Sequence, residues 1–261
     1  MSISRTPFAH GQLVTGGAWI VTDENLLAET IARVALGQSR HVQKILAGIN
    51  LSAPPSTANT VAGAIKLLTV TGTDPWHRDG WMFQVMSWIA ANIDTPNGII
   101  RSPHMIRAHK GFDGIQLQLD VAGEVGAVVI FEDKATGDPR RIINTEVWKD
   151  FREFEQGHEE HVLTAEVSSL LQTCAGIDVD KAIEKVIWNK TRRYRVCITV
   201  GDTHATPAGR LRLFADYDTV TPGALEKRRG ETFHIASLRN WMDALAIKAI
   251  AFAKTTDKSN V

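Results

Sequence analysis

The stretch that decides the fold is Gly111-Phe112-Asp113-Gly114-Ile115-Gln116-Leu117-Gln118-Leu119-Asp120, followed past Ala122-Gly123-Glu124 by Gly126-Ala127-Val128-Val129-Ile130-Phe131-Glu132-Asp133-Lys134. Ile115, Leu117 and Leu119 alternate with Gln116 and Gln118, the two-residue period of a half-buried strand. The second run is apolar at consecutive positions, as in a strand covered on both faces. The short polar and glycine-bearing link between them predicts an antiparallel hairpin of strands 113–120 and 125–134. A symmetric hairpin centred on Ala122-Gly123 sets Leu117 opposite Val128, Ile115 opposite Ile130, and Asp113 opposite Glu132. Positions two apart on a strand share a face. Glu132 and Lys134 therefore point one way, and Phe131 and Asp133 the other.

Two carboxylates facing each other across a hairpin repel. A bound Mg²⁺ removes that conflict, because hard cations take carboxylate oxygens and keep waters for a phosphate-bearing substrate. A lysine beside such a pair can orient a water, and the combination suits phosphodiester hydrolysis. The competing reading is a solvated, charged hairpin end. Against it, Glu132 and Lys134 emerge from the apolar run Val128-Val129-Ile130-Phe131 rather than from an edge strand.

The pattern Asp113, hairpin, Glu132-Asp133-Lys134 resembles the PD-(D/E)XK, or restriction-endonuclease-like, nuclease superfamily. The resemblance covers roughly residues 78–200. It implies an α/β fold with a central mixed sheet flanked by helices. It also implies Asp113 and Glu132 as metal ligands, Lys134 as the catalytic lysine, and Mg²⁺ as cofactor, with Mn²⁺ able to substitute. Many members carry a Glu on the helix before the hairpin; this chain offers Gln84, which leaves one or two metals open. Phe112 stands where the family's proline would be. The layout also resembles nuclease effectors of bacterial antiphage defence, such as the nuclease subunit of Hachiman-type systems.

Outward from the hairpin, residues 1–77 read as a helical N-terminal region and 78–261 as the nuclease core with a C-terminal helix, together one compact unit. Cap-type residues Thr22 and Asp23 precede apolar positions at helical spacing, and Ser56 or Thr57 can cap a helix through Leu68. A helix is expected at 80–93, another after Thr145, strands at 193–200 and 210–217, and a long helix at 234–254. His158 and His161 form an i,i+3 pair that can share a metal or sit on a solvated helix face; the zinc-protease spacing is absent.

Composition bounds the rest. Of 261 residues, 29 are Lys or Arg and 29 Asp or Glu, a net charge of zero that excludes a general polycation. Local basic residues remain: Arg101, Arg107 and Lys110 before Asp113, and Arg140 and Arg141 after Lys134. They are the expected phosphate contacts. Two cysteines are too few for a disulfide scaffold, and the opening MSISRTPFAHGQLVTGG has no signal-like apolar core. A cytoplasmic protein without a membrane span is expected.

The sequence thus predicts a metal-dependent endonuclease acting on DNA in antiphage defence, held in check by a partner such as a helicase or by homo-oligomeric assembly. Trp148 and Trp241 serve either that contact or the core. The alternatives are a type II restriction endonuclease and a catalytically inactive nuclease-fold binding or scaffold subunit.

Overall fold

The computed structural model describes residues 1–257 except 50, 53, 97, 108–110, 173, 175, 189 and 190. Strands β1 (Ile3–His10), β2 (Val14–Val21), β3 (Ile99–Ile100), β4 (Gly114–Leu119), β5 (Val125–Lys134), β6 (Arg192–Val200) and β7 (Arg228–His234) form one mixed sheet in the order β1-β2-β7-β6-β5-β4-β3. β2, β7, β6 and β5 run parallel, and antiparallel pairs close both ends. The chain is an α/β protein.

Helices cover both faces. On one lie α1 (Glu24–Ala35), α2 (Ser39–Leu46), α3 (Ala58–Leu68), α4 (Trp76–Asp94) and α12 (Leu238–Thr255), packed on Trp19, Val129, Phe131, Cys197 and Phe233. On the other lie α5 (Pro139–Ile142), α6 (Trp148–Glu155), α7 (Glu160–Leu171), α8 (Val179–Ile183), α10 (Pro207–Leu213) and α11 (Tyr217–Val220). They pack on Leu117, Val128, Ile130, Tyr194 and Val196. The short α9 (Asp202–Ala205) follows β6. Consecutive residues of β5 thus feed two different cores, and Val128 through Phe131 are all buried. Among the described residues no helix is long and apolar enough to cross a membrane.

The hairpin register is the expected one: Ile115 pairs with Ile130 and Leu117 with Val128. A bulge between Gln118 and Leu119 then shifts the pairing. Asp120 closes the turn by accepting from the backbone N–H groups of Ala122 and Glu124.

Several expectations change. The first residues are not helical. β1 and β2 form a hairpin, turned at Gly11 with φ +54, and Pro7 is tolerated because β1 is an edge strand. The expected strand at 210–217 is helical. Thr206 caps Pro207–Leu213 by accepting from the Gly209 N–H, and Leu213, Phe214, Tyr217 and Val220 bury a helical face. The helix expected after Thr145 begins at Pro139, where proline suits the first turn. The Thr145 hydroxyl instead donates to the Arg141 carbonyl. β7 is absent from the expected elements, and its RRGETFH sequence places His234 in the sheet rather than in the last helix. Ser237, at φ +50, separates the two.

Helix α1 starts where Asp23 accepts from the Leu26 N–H at 2.9 Å. Asp23→Ala is expected to cost about 1 kcal/mol, read as a lower urea midpoint with an unchanged slope.

Candidate active site

Asp113 lies one residue before β4, and Glu132 and Lys134 end β5. The three side chains meet. The Lys134 ammonium is 3.1 Å from Glu132 Oε2 and 3.9 Å from Asp113 Oδ2. Asp113 is fixed from two sides. Its Oδ1 accepts from the Gln84 amide of α4 at 2.5 Å, and its Oδ2 from the Asp133 backbone N–H at 2.9 Å. Arg101 Nη2 donates to the Phe112 carbonyl at 3.0 Å, which steadies the residue before Asp113.

Asp133 faces the opposite core, as the strand period requires. Its carboxylate accepts from the Ser87 hydroxyl at 2.6 Å, and that hydroxyl accepts from Arg195 at 2.6 Å. The Arg195 guanidinium also lies over the Phe131 ring. This polar cluster ties α4, β5 and β6 together directly behind Glu132.

Charge in the site is unbalanced. Burial pushes the Glu132 carboxyl well above the ordinary range, and the Asp113 charge adds to this against the opposing pull of Lys134. Burial likewise raises Asp133, to about 7, although Arg195 opposes it. Burial works against the Lys134 charge, but Glu132 and Asp113 outweigh it and hold the amine protonated. Beside Glu132 opens a cavity of about 520 Å³ lined also by Asp150, Glu153 and Glu159.

The sign of the pH dependence follows. Folded Glu132 and Asp133 retain protons that the unfolded chain has already lost, so the native state binds more protons than the unfolded one above about pH 4. Stability is therefore expected to fall as pH rises from about 4 toward the Asp133 value of about 7. Asp133→Asn is expected to flatten that slope in urea unfolding measured across the range without divalent cations. A steeper slope in the variant contradicts this assignment.

The other sequence-selected residues are placed as follows. Arg101 pairs with Glu166 of α7. Arg107 donates to the Thr69 carbonyl and the Thr71 hydroxyl. Arg140 holds the carbonyls of Leu213 and Ala215 and the Asp216 carboxylate. Arg141 pairs with Asp138 on an exposed turn. Lys110 lies outside the described residues. Each of these four arginines thus has a partner within the protein. His158 lies in the turn before α7 and His161 in its first turn, and among the described residues no three His, Cys, Asp or Glu side chains form a metal-holding group. Trp148 is buried in the second core, and Trp241 donates to Glu24.

Glu146 and Asp150 join the site without having been singled out in the sequence. Glu146 Oε2 is 3.9 Å from the Lys134 ammonium, and the Asp150 carboxyl, raised first by burial, feels Lys134 as well. Their i,i+4 spacing on the helical segment after the hairpin is the signal that could have found them. No protein-family model matches the chain, and no curated protein matches it.

Proposed function

We propose that this chain is a metal-dependent endonuclease that hydrolyses phosphodiester bonds of DNA, built on a restriction-endonuclease-like sheet. The carrying observation is the convergence of Asp113, Glu132 and Lys134 at one end of the hairpin. The Asp113 and Glu132 carboxyl groups face a single ammonium in a partly buried place, and a phosphate approaching their oxygens is repelled unless further positive charge is present.

The donor set fits Mg²⁺. Asp113 and Glu132 supply hard oxygen ligands and are too few to enclose the ion, which suits a cation that keeps its waters. When bound, Mg²⁺ supplies charge neutralisation of the phosphate and a lowered pKa for water. The protein's own residues position the reaction. Gln84 and the Asp133 N–H fix the Asp113 carboxylate. Lys134, protonated, donates toward the attacking water or the scissile phosphate oxygen.

The net charge of zero and the internally paired arginines support control by a second surface, either a partner protein such as a helicase or another copy of this chain. An antiphage role in the cytoplasm accords with that dependence. The test is incubation of supercoiled plasmid with the purified protein and Mg²⁺ or Mn²⁺, alone and with the product of its neighbouring gene. Nicking or linearisation that EDTA abolishes is expected. Discrete, sequence-defined fragments from the protein alone favour a restriction enzyme. Failure to cut in every combination favours an inactive scaffold.

A further inference from the structure

Lys134 is faced by carboxylates from three directions. Glu132 comes from its own strand, Asp113 from the start of β4, and Glu146 from the helical segment between α5 and α6. Asp150 adds its charge from one turn further along. The first two are the pair that would hold a cation. Glu146 differs from them in exposure: its side chain is 50% exposed, whereas that of Glu132 is 6% exposed. Among the described residues, Lys134 is the cation within ion-pair distance of Glu146.

Local backbone geometry bears on Glu146 as well. Ile143–Val147 is a π-helical turn inside an otherwise α-helical segment. Such turns insert one residue and redirect the side chains around them, and they occur often at functional sites. Ile143 and Val147, the first and last residues of the turn, are buried and anchor it to the core, while Glu146 emerges toward Lys134.

A cation at Asp113 and Glu132 competes directly with the Lys134 ammonium, because both are held by the same two carboxylates. Lys134 needs a second resting place close by. We propose that Glu146 is a positioning residue that takes over the Lys134 ammonium when a divalent cation occupies Asp113 and Glu132. The proposal rests on the nuclease reading above. It makes Glu146 act through Lys134 and not as a ligand, so its contribution to cation affinity depends on the lysine.

Mn²⁺ binding to the full-length protein, followed by calorimetry with no DNA present, tests this. Glu146→Gln is expected to weaken Mn²⁺ binding by about tenfold, a free-energy change of about 1.4 kcal/mol, and Glu146→Asp to restore most of it. In a Lys134→Gln background, Glu146→Gln is expected to change the affinity by less than about twofold, the mark of coupling between neighbours. Lys134→Gln alone is expected to tighten binding, since the competitor is gone. Half-exposed Glu146 contributes little to the core, so its variants fold; far-UV circular dichroism verifies this. Unchanged Mn²⁺ affinity in Glu146→Gln overturns the proposal, as does an equal loss with and without Lys134. Wild-type protein that binds no Mn²⁺ overturns the nuclease reading itself, a result distinguishable from either.

Discussion

Lys134→Ala and Glu132→Ala are each expected to lower metal-dependent plasmid cleavage by at least ~10²-fold. Both side chains contact the centre where phosphate and water would meet, so the loss falls on the chemical step and not on DNA affinity. The fold survives either change for a specific reason. Burial already pushes the Glu132 carboxyl upward against the pull of Lys134, so removing the Lys134 ammonium favours the neutral acid over a stranded charge. Removing Glu132 leaves Lys134 with Asp113 and Glu146 nearby and with a route to solvent. Because the two act together, the double variant is expected to be little worse than the poorer single one. Initial rates from supercoiled substrate, with far-UV circular dichroism as control, measure this. A Glu132→Ala protein that cuts at the wild-type rate removes the site from consideration.

The largest loss of stability is expected at Gly16→Ala, about 3 kcal/mol or more. Gly16 pairs with Gly230 across the parallel β2 and β7. A Cβ at Gly16 would stand 1.6 Å from the Gly230 carbonyl oxygen and 2.6 Å from its carbon. Those atoms are backbone, so relief requires parting the strands. Gly230→Ala is expected to be milder, because its Cβ meets the Phe214 ring at 2.6 Å, a side chain and not the backbone of a paired strand. Gly63, inside α3, has nothing within 4 Å of its missing Cβ. Gly63→Ala is expected to gain roughly 0.5–1 kcal/mol from helix propensity. Urea unfolding of the three variants is expected to order them in that way. A Gly16→Ala midpoint equal to wild type would falsify the close approach of the two strands.

The hairpin at the site was readable from sequence because a short loop and a period of two determine each side chain's face. Alternation at Ile115 and Leu117 and an apolar run at Val128–Phe131 leave one register that buries both strands. The N-caps were readable for a similar reason, since Asp23 and Thr57 act on residues three positions away. β7 was not. It buries Arg228, Glu231 and Thr232, and partners of the two charged residues lie far off in the chain: the Gln12 and Leu13 carbonyls for Arg228, and the Trp19 indole N–H for Glu231. A polar residue whose partner is distant looks solvated in sequence. The internal pairing of the arginines near the site was hidden in the same way, because charge is visible in a sequence and its partner is not. At 207–220, Leu211 and Leu213 fit a strand while Leu213, Tyr217 and Val220 fit a helix, and tertiary packing chose the second.

The pairing of β2 with β7 also has a consequence for how the chain comes off the ribosome. Trp19 and Glu231, joined by a hydrogen bond, are 212 residues apart in the chain. The β1–β2 hairpin is made first, yet its open edge waits for a strand translated almost last, at roughly 5–20 residues per second. The β4–β5 hairpin closes locally and early, but the half of the sheet that completes the fold is assembled only near the end of synthesis. Long-range parallel pairing of this kind folds slowly, and the nascent chain carries an unpaired strand edge for most of its translation. A message truncated before β7 therefore yields a chain that has the hairpin bearing Asp113 and Glu132 but lacks the strand that joins it, through β6, to the β1–β2 hairpin.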